Sequence, residues 1–343
     1  MKIGNFIRHG NRCRRDRDWL VLILKEIEAY EKRSKNDKDG CDNFQVFHRL
    51  NPHMDDEKQF DLRPRTMVLS SEVFKLSLLF YCSKGPGRLA WGWRCVMNPK
   101  TILISGANGG IGSCLVRAAS SRWPEAKIFA VARDERKLIA LGRDLPHFMA
   151  LAYDLTHPQG AKAMAEVLAA ETDTIDLVIH TLGVLNGLGQ RPEKSLKEVD
   201  EKALAETFRI NTMSAIWLGQ AIKPFLQRKN SWGHVMILSA KVGSIGDNEL
   251  GGWYSYRMSK AALNMGIKTM ALEFRRSNCP GALVAVHPGT TVTDFSKDYV
   301  KNWPAERLAT PEMTAERLLK LAEMLEPEHN GKFLHWDGSE LPW

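Results

Sequence analysis

The 343-residue chain is 44% hydrophobic and 26% charged, proportions of a soluble globular protein with a sizeable core. Its net charge of +8 would suit nucleic acid or an anionic membrane, but residues 1–96 hold 19 Lys+Arg against 13 Asp+Glu and the remainder 29 against 27. The basic excess belongs mostly to the first quarter, so neither partner is expected. The longest apolar runs near the amino terminus, residues 19–24 and 76–82, are too short for a membrane span or a signal-peptide core, which points to a cytoplasmic protein. Cys13, Cys41, Cys82 and Cys95 lie in the first 96 residues, Cys114 and Cys279 in the rest, and no CxxC or Cys/His ligand spacing appears. A reduced chain without a metal site is the simplest account.

Residues 1–96 carry no recognisable motif. Residues 18–33 have the periodicity of one amphipathic helix, broken by the polar run 34–43, and 84–88 (KGPGR) is rich in turn formers. The cluster of Arg12, Arg14, Arg15 and Arg17 lacks interleaved aromatics and reads as a solvated basic tail. This segment is expected to be an irregular, dispensable extension. It is either an appendage for targeting or partner binding or, the favoured reading, the product of a start assigned too far upstream.

At Met97 the character changes, and strand and helix patterns alternate from there. Strands are expected at 101–105 (TILIS), 127–132 (KIFAVA), 149–153, 176–181 (DLVIHT), 235–239 and 283–287 (LVAVH). Helices are expected to start at the glycine run 106–112 and to follow at about 135–141, 161–170, 196–225 as one or two pieces, and 254–276. This alternation implies an α/β, doubly wound parallel sheet, a Rossmann-type fold, over residues 97–343. In such a fold ligands bind at the carboxyl ends of the strands.

Two stretches carry chemistry. Gly106, Gly110 and Gly112 follow a predicted strand and open a helix, the context in which a glycine-rich turn lets backbone N–H groups approach a pyrophosphate. Tyr256 and Lys260 are four residues apart, which stacks phenol and amine on one helical face. A free tyrosine titrates at about 10. A nearby ammonium favours the phenolate and brings the group toward the working range. Such a pair alone is more often an ordinary surface feature. Tyr254 is a rival phenol, but it stands six residues from Lys260 and so on another side of the helix. Ser239 ends an apolar run, which places its hydroxyl at a strand's carboxyl end.

With both stretches in their places, residues 97–343 resemble the short-chain dehydrogenase/reductase family, and within it the C-factor-like and sniffer-type carbonyl reductases. Ser105-Gly106-xxx-Gly110-Ile111-Gly112 is similar to the family's cofactor loop, with Ser for the usual Thr. Ser239, Tyr256 and Lys260 match the family's catalytic residues, and Asn211 in Arg-Ile-Asn-Thr matches the Asn that holds a water near the lysine. The subfamily resemblance rests on 243–245 (GSI), on the glycine pair before 253–256 (WYSY), and on the ending 331–343 (GKFLHWDGSELPW). The family's Asn-Asn-Ala-Gly after the fourth strand is replaced by His180-Thr-Leu-Gly183. His180 is expected to be a core histidine satisfying backbone groups, since the other residues already supply a proton path.

The resemblance implies cofactor contacts from Gly106, Asn108, Gly110, Ile111 and Gly112 in the first turn, and from Arg133, Asp154 and Leu155 after the second and third strands. Pro288, Gly289, Thr291 and Thr293 would contact the nicotinamide half, with Tyr256 and Lys260. A basic residue found at Gly109 in many NADP-preferring relatives is missing. Arg133 remains, and Ala132 stands where NAD-preferring relatives carry an acid, so NADP(H) is favoured over NAD(H). Asp154 would sit at the adenine edge or, equally, cap a turn before Thr156.

The expected activity is reduction of an aldehyde or ketone to an alcohol, with Tyr256 as proton donor, Ser239 holding the oxygen, and Lys260 and Asn211 behind them. A nucleotide-sensing or signalling protein on the same fold and an NAD-dependent alcohol dehydrogenase are the alternatives. Residues 184–192, 242–253 and 290–303 should wall the substrate site, with Trp253 and Trp303 offered to an apolar carbonyl compound. Helices with apolar residues on more than one face suggest a homo-oligomer.

Overall fold

In the computed structural model the described residues are 97–189, 191–226 and 233–343, together with three short strands upstream. Those strands, β1 (Thr66–Ser71), β2 (Phe74–Leu79) and β3 (Arg94–Cys95), pair antiparallel in the order β1-β2-β3, with Thr66 opposite Leu79 and Leu76 opposite Cys95. They lie within the segment read above as irregular, because their apolar runs are short and isolated among polar residues. The expected helix over 18–33 and the arginine cluster at 12–17 lie outside the described residues.

From residue 101 the chain alternates as the sequence suggested. The first part comprises β4 (Thr101–Ser105), α1 (Gly110–Arg122), β5 (Lys127–Ala132), α2 (Glu135–Gly142), β6 (Phe148–Ala152), α3 (Pro158–Glu171) and β7 (Leu177–His180). After it α4 (Glu201–Phe208) runs through a π-helical turn (Arg209–Met213) into α5 (Ser214–Leu226), and β8 (His234–Leu238), α6 (Tyr254–Arg276) and β9 (Leu283–His287) follow. Two further elements, α7 (Pro311–Met324) and β10 (Phe333–His335), make the sheet seven strands rather than the six expected. Three residues give β10 almost no pattern of its own.

The sheet is parallel throughout, in the order β10-β9-β8-β7-β4-β5-β6. Successive residues of a strand face opposite sides, so each strand feeds two cores. Leu103, Val178, Val235 and Ala285 pack with α3, α5 and α6, whereas Ile102, Ile104, Ile179, Met236 and Val284 pack with α1, α2 and α7. Local signals start several helices: Asp134, Asp200 and Thr310 accept from Lys137, Ala203 and Met313 N–H, and Pro158 and Pro311 occupy first-turn positions. The chain builds outward from β4 through β5 to β6, then returns to β7 on the other side of β4. That reversal opens a crevice between the carboxyl ends of β4 and β7.

His180, at the end of β7, pins this crevice. Its Nδ1 lies 2.6 Å from Ser105 Oγ and its Nε2 3.2 Å from Ser214 Oγ. The Ser214 hydroxyl donates to Ile210 O at 2.5 Å, so it must accept from Nε2–H, and Nδ1 accepts from Ser105. The partners are therefore two serine hydroxyls rather than the backbone groups expected from the sequence, and they tie β4 and β7 to the π turn. Burial, with Lys260 nearby, lowers the imidazole pKa to about 3.

An unfolded histidine takes up a proton below about 6.5, whereas this one stays neutral, so its contribution to stability is lost as pH falls from 6.5 toward 3. Between pH 7 and pH 5 the loss from His180 should be about 2 kcal/mol. Denaturant melts at the two pH values should show that His180→Asn loses less than wild type by this amount. His234 and His287, both lowered by burial to about 4, are common to the two proteins. An equal loss in both proteins would remove His180 as the cause.

Candidate active site

The residues singled out in the sequence converge at the carboxyl ends of β4, β7, β8 and β9. Ser239 follows β8 and is 4% exposed, and Tyr256 and Lys260 lie on the first turns of α6 at 6% and 3%. The Lys260 ammonium donates to the Leu238 carbonyl at 2.9 Å, one residue before Ser239, and stands 5.9 Å from the centre of the Tyr256 ring. Ser239 Oγ donates to Asn264 Oδ1 at 2.6 Å, and Asn264 Nδ2 donates to Gly243 O at 3.3 Å. Tyr256, Lys260 and Asn264 thus form one stripe at four-residue spacing, of which the sequence reading took only the first two.

Two glycines allow this density. A Cβ on Gly243 would stand 2.7 Å from Lys260 Cβ, so the turn Lys241–Gly243 can lie against α6 only without a side chain there. A Cβ on Gly183 would come within 3.3 Å of Asn211 Oδ1 and 3.5 Å of Lys260 Nζ.

Asn211 sits in the π turn, fully buried. Its Oδ1 accepts from Val184 N–H at 2.7 Å while its Nδ2 donates to Val184 O at 2.8 Å and to Ser259 Oγ at 3.0 Å. Ser259 Oγ in turn donates to Tyr256 O at 2.8 Å. The amide therefore joins the loop after β7 to the helix that carries the tyrosine. Turns of this kind often mark functional positions in helices.

Burial governs the two titrating groups. It pushes the Tyr256 phenol above its ordinary value and draws the Lys260 amine down to about 7. The expectation that the ammonium lowers the phenol is not what this arrangement gives. With both groups almost wholly out of water, loss of solvation disfavours the charged form of each.

At the first turn Gly106 has φ +76, and a Cβ there would stand 2.5 Å from Thr181 Oγ1. That hydroxyl donates to Ser105 O at 2.9 Å, fixing the loop from the segment that departs from the family pattern. A Cβ on Gly112 would lie 2.2 Å from Gly106 O, and one on Gly110 would fill the gap to the Thr293 methyl, 2.8 Å away. Ile111 is part-buried against the α1 core. Asn108 Nδ2 donates to Asp134 O at 2.8 Å, while its buried Oδ1 has no protein partner. It borders a concavity of about 220 Å³ between α1 and α2, shared with Arg117 and Lys137. A cradle of small residues and neighbouring cations fit the phosphates of a nucleotide, and the unpaired Asn108 acceptor fits a hydroxyl or amino donor on it.

Arg133 is exposed at the end of β5. Burial opposes the Asp154 charge, but the hydroxyl and N–H of Thr156, with Arg133 and His157 nearby, hold that carboxyl below its usual value. Asp154 Oδ1 accepts both Thr156 groups, at 2.9 and 2.7 Å, and so caps the turn as well as facing Arg133. Leu155 is 3% exposed, within the core. In the last loop Pro288 is part-buried and Gly289 has φ +83 against the Trp336 ring. The Thr291 hydroxyl lies 2.8 Å from that of Thr314, while Thr293 faces Gly110.

Over the phenol the walls are aromatic. Trp253 and Phe295 set their rings edge-on to Tyr256 at 6.2 and 6.0 Å, and Tyr299 meets Trp253 at 5.4 Å. Trp303, expected with Trp253 to be available to an apolar substrate, is 47% exposed, and Phe295 and Tyr299 from the same loop pack on Tyr256 and Trp253 instead. Their four-residue spacing was the available signal. No described helix is long and apolar enough to cross a membrane.

A dehydrogenase of Rhodococcus acting on 1-hydroxy-2-glutathionyl-2-methyl-3-butene is 35% identical over 54% of this chain and 76% of its own length. C-signal of Myxococcus xanthus is 34% identical over 50% of this chain and 95% of its own. The NADPH-bound carbonyl reductase from chicken fatty liver is 26% identical and superposes with a TM-score of 0.64 over 72% of this chain and 95% of that one. The family model for short chain dehydrogenases matches residues 100–303, which include the glycine loop, Asn211, Ser239, Tyr256 and Lys260. The chain is a member of the short-chain dehydrogenase/reductase family.

Proposed function

We propose that this oxidoreductase reduces an apolar aldehyde or ketone with NADPH, and that Tyr256 donates the proton. The observation that carries the reading is the convergence of four buried side chains, Ser239, Tyr256, Lys260 and Asn211, at the sheet's carboxyl edge, with Lys260 held on the Leu238 carbonyl 5.9 Å from the Tyr256 ring and Asn211 tied through Ser259 to the Tyr256 backbone. Bound NADPH would supply the hydride. Gly106, Asn108 and Gly110–Gly112 would hold its pyrophosphate side and Arg133 its 2′-phosphate, with Pro288, Gly289, Thr291 and Thr293 along the nicotinamide half. The chicken enzyme's bound NADPH supports this cofactor choice.

Ser239 can offer its hydroxyl to the carbonyl oxygen by releasing Asn264. Tyr256 gives its proton as charge develops on that oxygen. The raised phenol pKa keeps Tyr256 protonated at neutral pH, as a donor must be. An alkoxide is more basic still, so the transfer remains downhill. Lys260, near neutrality in its own titration, can return a proton to the phenolate. Trp253, Phe295 and Tyr299 offer ring faces and edges to an apolar substrate. A cytoplasmic location and a homo-oligomer, with exposed Met258, Met265 and Leu272 on α6 available for contact, complete the proposal.

Tyr256→Phe should leave NADPH affinity nearly intact and lower turnover by roughly a hundredfold or more, whereas Tyr254→Phe should be mild. Steady-state assays with a panel of aldehydes and ketones decide the matter, and more than half the wild-type rate in Tyr256→Phe would sink the assignment. Arg133→Ala should raise KM for NADPH about tenfold or more and hardly alter that for NADH, because a charge-assisted pair to the 2′-phosphate is lost. Equal effects on both nucleotides would make Arg133 structural. The same reading places the whole activity in residues 97–343. A chain beginning at Met97 should keep full turnover and melt within a few degrees of the full protein, and aggregation or loss of most activity would show that earlier residues belong to the working domain.

A further inference from the structure

α6 starts without the groups that usually begin a helix. Trp253, its N-cap residue, has a left-handed backbone (φ 52) and supplies no side-chain cap, and the first turn contains no acidic residue. The first N–H groups of a helix have no intrahelical partners, and an anion beside them is favoured by the helix dipole. Here the anion comes from 62 residues upstream. Glu193, only 3% exposed, accepts the Ser255 backbone N–H at 3.3 Å and the Ser255 hydroxyl. Its own carbonyl oxygen accepts from Trp253 N–H at 2.5 Å. Ser255 is fully buried, so water cannot stand in for the carboxylate.

Glu193 also closes the two walls of the site on each other. The first wall leaves Val184, bonded both ways to Asn211, passes Gly187, whose N–H donates to Thr207 Oγ1 at 2.9 Å, and ends at Glu193. The second wall ends at Gly252 and Trp253, where a Cβ on Gly252 would already stand 3.4 Å from Glu193 O. Arg257 holds that end by donating to the Gly251 and Gly252 carbonyls at 3.1 Å each, and reaches Val242 O at the other end at 3.3 Å. One residue therefore fixes both positions 253 and 255, immediately before Tyr256.

We propose that Glu193 is a positioning residue for Tyr256: by capping the first turn of α6 from the opposite wall, it sets the direction in which the phenol meets the substrate. This rests on the reading of Tyr256 as proton donor. A small misplacement of a reacting group costs far more in rate than in binding, so the effect belongs to kcat and not to nucleotide affinity.

The test uses the full chain with NADPH and 4-nitrobenzaldehyde, and reads kcat per NADPH site titrated by nucleotide fluorescence. Glu193→Ala should lower that kcat about tenfold or more and leave the Kd of NADPH within about twofold. Glu193→Gln offers Ser255 one acceptor and one donor, and should return kcat to within about threefold of wild type. Counting per titrated site removes any fraction that fails to fold. Wild-type kcat in Glu193→Ala would overturn the proposal, and so would equal losses in the Ala and Gln variants accompanied by weaker NADPH binding. Tyr256→Phe measured beside them separates the two claims. An inactive Tyr256→Phe with an unimpaired Glu193→Ala removes the positioning role alone, whereas an active Tyr256→Phe removes the proton-donor reading and the positioning role with it.

Discussion

An amine and a phenol withdrawn from water against each other are the constraint on which this molecule turns. Lys260 cannot be buried cheaply unless its amine is met, and the sheet supplies the acceptor through the carbonyl of Leu238. That carbonyl is available because β8 ends there. The strand end, the helix that carries Tyr256 and Lys260, and the glycine turn at Gly243 are therefore one arrangement: a bulkier residue at 243 would push α6 off and leave the ammonium without its acceptor.

The rest of the site repeats the same logic with neutral groups. Buried Asn211, His180, Ser105, Ser214 and Ser259 each find partners on a different element, so the polar interior at the sheet edge is also its bracing. The apolar cores on the two sheet faces hold the layers together, but they are not specific about the angle at which loops leave the strands. Directed hydrogen bonds between loops set that angle.

Much of this was legible in the sequence because it is local. Alternating strand and helix periods, Gly106 to Gly112 after a strand, and the four-residue spacing of Tyr256 and Lys260 each express a short-range rule. What escaped was long-range or cooperative. β10 owes its existence to β9, not to three residues of its own. Asn264 continues the Tyr256 stripe, yet nothing local says that its amide will meet Ser239. Glu193 caps a helix from a separate loop, and a lone Glu-Lys pair in sequence carries no sign of it. The direction of the Tyr256 shift was hidden for a related reason: spacing reveals the neighbouring amine, whereas only the packed structure reveals how thoroughly water is excluded.

The π turn between α4 and α5 has a consequence beyond placing Asn211. Such a turn holds one residue more than an α-helical turn, and each residue advances a helix by about 100°. The extra residue is therefore an angular offset between two otherwise continuous helices, letting Ala203 and Thr207 on one side and Ala215, Leu218 and Ile222 on the other each keep a buried face. Without it, one half would turn its apolar stripe toward solvent, or the polar Asn211 would rotate away from Val184. A single inserted residue thus lets a greasy packing surface and a hydrogen-bonding centre share one rod, and it makes that rod intolerant of length changes that an ordinary helix end would absorb.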